Sequence, residues 1–302
     1  MLSHVGKLYA KILESRIKPI IEPQLNIAQF GFRKGKSCTD ALFTLRQLSE
    51  NTIEYDKQLN LAFIDQEKAF DRINRNKLWA ILSEYGIQGQ LLDNIRALYQ
   101  KCSSVVRTSD GLTDEFQLSS GVRQGCVLSP ILFNIYIDRI TQESMTDNNV
   151  DNNNNLINEL LFADDQSIIY DNEHKLQQHI NALQATCEKY NMKINTSKTE
   201  VMTISRTTGQ LNIHVNNVKI QQTPEFKYLG SIFTEDGKMD REIETRCQKA
   251  NAVTYQLSPL LKHPSINMTV KRQLINSIFT PTLCYQCQTC LLYTSPSPRD
   301  TR

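Results

Sequence analysis

An α+β fold is what this sequence predicts, with strands and helices mixed through about Phe233 and a helical module after it. Three observations carry that reading. Leu59, Leu61, Phe63 and Asp65 alternate with Asn60, Ala62 and Ile64, the period of a strand whose core-facing row ends in a carboxylate. Leu160–Tyr170 sets two short apolar strands around the acidic turn Ala163-Asp164-Asp165. Beyond Lys238 the period lengthens: Ile243, Cys247, Ala250, Leu257 and Leu261 share one helix face, and Val270, Leu274 and Ile278 another.

The remaining elements follow in order. Val5, Leu8, Ile12 and Ile17 recur at helical spacing, and Pro19 is expected to end that helix. Ser37 and Asp40 are spaced as a capping box before Leu42, Leu45 and Leu48. Two helices are expected through Leu78–Tyr85 and Leu91–Leu98. Val105–Arg107 and Phe116–Leu118 flank Asp110-Gly111, a hairpin signal. Ser129-Pro130 reads as N-cap and first helical residue. Asn148–Asn155 is a low-complexity loop, and His174–Tyr190 a helix. Short strands are expected near 200–205, 211–221 and 226–233.

Composition bounds the function only loosely. The 302 residues suffice for one large domain or two modest ones, and an apolar share of 40% supports a real core. There is no run long enough to span a membrane and no secretory signal pattern, so a soluble intracellular protein is expected. Net charge is only +2, but Met1–Asp40 and Lys238–Arg272 each carry seven Lys or Arg against three acids. Basic flanks around a more acidic middle suit phosphate contacts at the edges and cations at the centre, or simply two solvated helical faces. The eight cysteines are scattered as free thiols. Cys284, Cys287 and Cys290 suggest a cluster motif, but the fourth position such a run needs holds Thr294.

Paired aspartates such as Asp164-Asp165 often serve only to bond turn amides. Here apolar strands on both sides would force them together at a rigid tip, where their repulsion calls for cations. Asp65 at a second strand end offers a further ligand, and oxygen-only ligands suit Mg²⁺. Two carboxylate clusters converging on metal ions is the requirement of two-metal phosphoryl transfer. Gln124-Gly125, after Ser120–Arg123, is either an ordinary glycine-rich loop or a floor for a flat ligand.

Taken together these motifs resemble those of reverse transcriptases, particularly of non-LTR (LINE-type) retrotransposons. The resemblance runs through Gln29-x-Gly31-Phe32-Arg33-x-Gly35-x-Ser37-x-x-Asp40-Ala41 and Phe63-x-Asp65-x-x-Lys68-Ala69-Phe70-Asp71. It continues through Gly121-Val122-x-Gln124-Gly125-x-x-Leu128-Ser129-Pro130-x-Leu132-Phe133 and Phe162-Ala163-Asp164-Asp165. Asn195-x-x-Lys198-Thr199 and Phe226-x-Tyr228-Leu229-Gly230 complete it. It implies a right-hand polymerase palm with partial fingers and a small helical thumb: fingers 1–58, palm 59–237, thumb 238–289.

By that resemblance Asp65, Asp164 and Asp165 form the metal-binding catalytic triad for two Mg²⁺ ions, with Mn²⁺ as a substitute. Phe70 is the steric gate against a ribose 2′-OH, while the Ala69 amide, Gln124 and Gly125 bind the dNTP. Lys198 protonates the leaving pyrophosphate, and Phe226, Tyr228, Leu229 and Gly230 form the primer grip. The implied partners are an RNA template, a DNA primer and dNTPs, with no membrane, in cytoplasm and nucleus. Alternatives are a truncated relic that at most binds RNA and an RNA-templated RNA polymerase, the latter disfavoured by Phe70. The chain is expected to be a fragment lacking upstream fingers residues, with 290–302 an adaptor-derived tail or a natural Ser/Pro-rich one.

Overall fold

The computed structural model describes residues 3–100, 102–109, 111–146, 157–207 and 209–289. Asp110, the Asn-rich loop, Cys290 and the tail fall outside them. Along the chain come α1 (His4–Ile21), α2 (Cys38–Glu54), β1 (Leu59–Ile64), α3 (Ala69–Arg72), α4 (Arg75–Glu84) and α5 (Gly89–Tyr99). The expected hairpin is built from β2 (Ser103–Ser104) on β5 (Phe116–Gln117) and, inside it, β3 (Arg107–Thr108) on β4 (Gly111–Leu112). Then follow α6 (Ser129–Thr146), β6 (Glu159–Phe162), β7 (Asp165–Tyr170), α7 (Glu173–Lys189) and β8 (Glu200–Ile204). Short strands β9 (His214–Val215), β10 (Val218–Lys219) and β11 (Gln221–Gln222) lead to the hairpin β12 (Glu225–Tyr228) and β13 (Ser231–Thr234). Helices α8 (Asp240–Lys262), α9 (Met268–Leu274) and α10 (Thr280–Leu283), with a π-helical stretch Ile275–Phe279 joining the last two, lead to a closing 3-10 turn at Cys287–Thr289. Among the described residues no helix is long and apolar enough to cross a membrane.

The chain divides into two compact units. The first comprises Met1–Ser37, Asn60–Val201 and Leu211–Gln222. A sheet of order β11-β8-β1-β7-β6 is its main one, with β1–β7 and β6–β7 antiparallel and β8–β11 parallel, while β2–β5, β3–β4 and β9–β10 pair as separate ribbons. Capping follows the local chemistry: Asn172 accepts from the His174 and Lys175 amides at the start of α7. Leu176, Ile180, Leu183 and Cys187 then form that helix's buried stripe. Phe133, Ile135 and Tyr136 of α6 are wholly buried.

Three details differ from expectation. Helix α1 runs through Pro19 to Ile21, because near the C-terminal end a proline removes a single i→i−4 bond, and the Glu22 amide still reaches Lys18 O at 2.9 Å. Strand β1 is buried along its whole length, not on one face, as befits an interior strand of the sheet. Ser129 is already helical, and its hydroxyl donates to Arg123 O at 2.6 Å instead of capping.

The second unit comprises Cys38–Leu59, Met202–Gln210 and Thr223–Arg302. In it the buried Arg46 stacks on Phe233 with its guanidinium carbon 4.4 Å from the ring centroid. The β12–β13 turn is Leu229-Gly230, both at positive φ, as a two-residue hairpin requires. Tyr285 OH donates to Leu229 O at 2.9 Å, and Arg246 donates to Gly230 O. The helical faces read from the sequence are present but largely uncovered within this unit: Ile243, Val270 and Ile278 are exposed, and only Ala250 and Leu257 of the first face are buried. Ile243 and Cys247 line a cavity of about 120 Å³ with Met239, Leu283 and Tyr285.

Candidate active site

The β6–β7 hairpin closes on the pair Phe162↔Asp165, leaving Ala163-Asp164 as its two-residue turn. Ala163 takes φ 58, left-handed backbone that a residue with a Cβ adopts at a cost of about 1–2 kcal/mol. The β1–β7 register runs from Asn60↔Tyr170 to Ile64↔Gln166. Asp65 directly follows the last pair, as Asp165 directly precedes it on β7, so the register brings the two acids to the same end of the strand pair. Asp164 and Asp165 are exposed and Asp65 half-buried. Loss of hydration at its carboxyl, then the charges of Asp164 and Asp65, push Asp165 above the usual carboxylate range. Asp165 thus feels the charge of both other acids. Among the described residues no three His, Cys, Asp or Glu side chains are already gathered as an ion site. The register supplies proximity, and the all-oxygen, mutually repelling donor set fits a hard divalent cation.

The backbone of Asp65 is gripped from both sides. Its amide donates to Thr199 Oγ1 at 3.2 Å, and its carbonyl accepts from the Asn195 amide at 2.8 Å. The turn carrying Lys198 is thereby fastened to the end of β1, with Lys198 itself exposed.

Phe70, on the short α3, lies flat on the buried Phe133, centroids 4.2 Å apart and planes 9° from parallel. Ala69 beside it is buried. The loop 118–125 is joined to this segment by main-chain bonds: Gly121 N to Ile73 O at 2.8 Å and Val122 N to Phe70 O at 2.9 Å. A Cβ on Gly121 would lie 2.8 Å from both the Cα and O of Asp71, and φ there is 79°, so glycine is required. Arg75 secures the loop from α4, donating to the carbonyls of Leu118, Ser120 and Gly121 at 2.6, 3.0 and 2.9 Å. Gln124 and Gly125 stand exposed at its end, Gly125 with open space about it.

Those carboxylates and that loop lie in the first unit; Phe226, Tyr228, Leu229 and Gly230 form the hairpin described above in the second. Residues 1–233 match the family of reverse transcriptases (RNA-dependent DNA polymerases). The chain belongs to that family. It is 24% identical over 269 residues to the Pol polyprotein of the type-2 retrotransposable element R2DM of Drosophila melanogaster, covering 84% of this chain and 25% of that protein. It is 24% identical over 308 residues to the probable RNA-directed DNA polymerase of transposon BS from the same fly, covering 95% of this chain and 33% of the relative. Apo telomerase from Candida tropicalis shares the right-hand fold at a TM-score of 0.56 and 15% identity, over 93% of this chain and 50% of that one. The chain thus spans a third or less of these two curated relatives' length.

Three supporting residues escaped the sequence reading. Arg75 carried no signal beyond being a basic residue near a helix start. Gln29 and Thr199 sit inside the quoted motifs, but nothing in their spacing told that they face Ala163 and Asp65.

Proposed function

We propose that this chain carries an RNA-directed DNA polymerase centre that extends a primer 3′-OH with dNTPs on an RNA template. The observation that supports the proposal is the β1–β7 register, which ends with Asp65 and Asp165 as the next residues of the two strands, Asp164 lying at the adjoining turn. Asp65, Asp164 and Asp165 would hold two Mg²⁺ ions, or Mn²⁺, which when bound activate the attacking oxygen and stabilise the leaving one. Gln124, Gly125 and the Ala69 amide would seat the dNTP, and Lys198 would give a proton to the departing pyrophosphate. Phe226–Gly230 would place the primer end. The proposed organisation is fingers 1–58, palm 59–237 and thumb 238–289.

The test is primer extension on RNA with Mg²⁺, with Asp164→Ala as the blank. Incorporation by the parent alone supports the reading; RNA retention without incorporation by either leaves an RNA-binding relic. Sugar choice is assigned to Phe70, whose ring is kept in place by Phe133. Phe70→Ala is expected to raise ribonucleotide use relative to dNTP by about tenfold or more, the worth of roughly 1.4 kcal/mol. Unchanged discrimination in single-nucleotide incorporation removes the gate assignment.

A further inference from the structure

We propose that Gln29 is a positioning residue that holds the Asp164 turn in its ion-binding conformation; this rests on the metal reading above. Residues 28–31 lie along β6 as an added edge. Gln29 bridges Leu161 in parallel, Phe30 N donates to Leu161 O at 2.7 Å, and Leu161 N donates to Ala28 O at 2.9 Å. The Gln29 side chain is wholly buried. Its Oε1 accepts two amides at once, from Gly31 at 2.9 Å and from Ala163 at 3.2 Å.

That second bond matters because Ala163 is the left-handed residue of the turn, immediately before Asp164. A side-chain acceptor aimed at its amide fixes the Phe162–Ala163 peptide plane, the frame from which Ala163 presents Asp164. Without that acceptor the amide would be buried with nothing to receive it, and the turn would gain by relaxing toward negative φ. The approach is too close for a side chain: a Cβ on Gly31 would stand 2.4 Å from Ala163 N and 3.0 Å from Phe162 C. Behind it, Asn134 Nδ2 of α6 donates to Gly31 O at 2.7 Å, so the edge segment is clamped between helix and hairpin. The fingers-side motif and the catalytic turn meet at one amide oxygen.

The test is Mn²⁺ affinity of the full chain, read by electron paramagnetic resonance, beside the melting temperature. Gln29→Met keeps bulk and removes the acceptor; Gln29→Glu keeps an acceptor oxygen; Gln29→Asn, which withdraws it by one methylene, serves if Gln29→Met does not fold. Gln29→Met or Gln29→Asn is expected to weaken Mn²⁺ binding about tenfold or more, as loss of a group that orients a ligand does, and Gln29→Glu to recover it. Mn²⁺ affinity of the folded variants equal to wild type, with only the melting temperature lowered, overturns the positioning role and leaves the metal reading intact. A wild type that binds no Mn²⁺, or binds it equally well as Asp164→Asn, overturns both.

Discussion

Replacing Asp165 by asparagine is expected to reduce primer extension by roughly 10³-fold or more while leaving the fold at least as stable in EDTA. Asparagine keeps the size of the side chain, and the backbone pair with Phe162 is untouched. What goes is a carboxylate that is disfavoured where it stands, because lost hydration and the charges of Asp164 and Asp65 all oppose its ionisation. The native pKa is raised, so the wild type loses stability as pH rises through the carboxylate range, and the variant does not. Adding Mg²⁺ should narrow the difference in melting temperature, since ions that bind the native wild type stabilise it alone. Extension at the wild-type rate by the variant removes Asp165 from the chemistry.

A second large effect is expected at Glu159, which no motif marks. It is buried at the start of β6 and accepts from Gln166 Nε2. Burial, and behind it the charge of Asp138, pushes its pKa up to about 8. The folded chain therefore keeps a proton there that the unfolded chain releases near pH 4.5. Stability falls as pH rises between those values and levels off above the higher one. Glu159→Gln keeps the acceptor for Gln166 and abolishes the penalty. The variant should exceed the wild type by a few kcal/mol at pH 8.5, on the order of 10 °C in melting temperature. Its advantage should shrink toward pH 5. His179, buried and held down to about 4, acts in the opposite sense, as the native state cannot take up the proton the unfolded chain binds below 6.5. That term is common to both proteins and drops out of their difference. Equal melting temperatures at pH 8.5 would show that Glu159 is not buried as its neighbours indicate.

Local pattern sufficed for the strands around Asp65 and Asp164, because alternation and an acidic turn are properties of ten consecutive residues. The order of α4, α5, α6 and α7 was legible for the same reason. What escaped was tertiary. The second buried face of β1 depends on its interior place in the sheet, and the continuation of α1 past Pro19 on where in the helix that proline falls. The apolar spacing of α8 and α9 announced helices correctly, yet periodicity does not say whether a face will be covered, and Ile243 and Val270 are not. Gln29, Arg75 and Thr199 act through bonds to atoms tens of residues away, so composition and spacing are silent about them.

The loop from Ser120 to Val122 is stitched to Asp71, Ile73 and Phe70 through three bonds, with Gly121 pressed against the Asp71 backbone. Whatever shifts this loop must therefore drag the segment that carries Phe70. On the proposed assignment of Phe70, sugar choice would then be a shared trait of two stretches some fifty positions apart, open to erosion by substitutions that never contact a nucleotide.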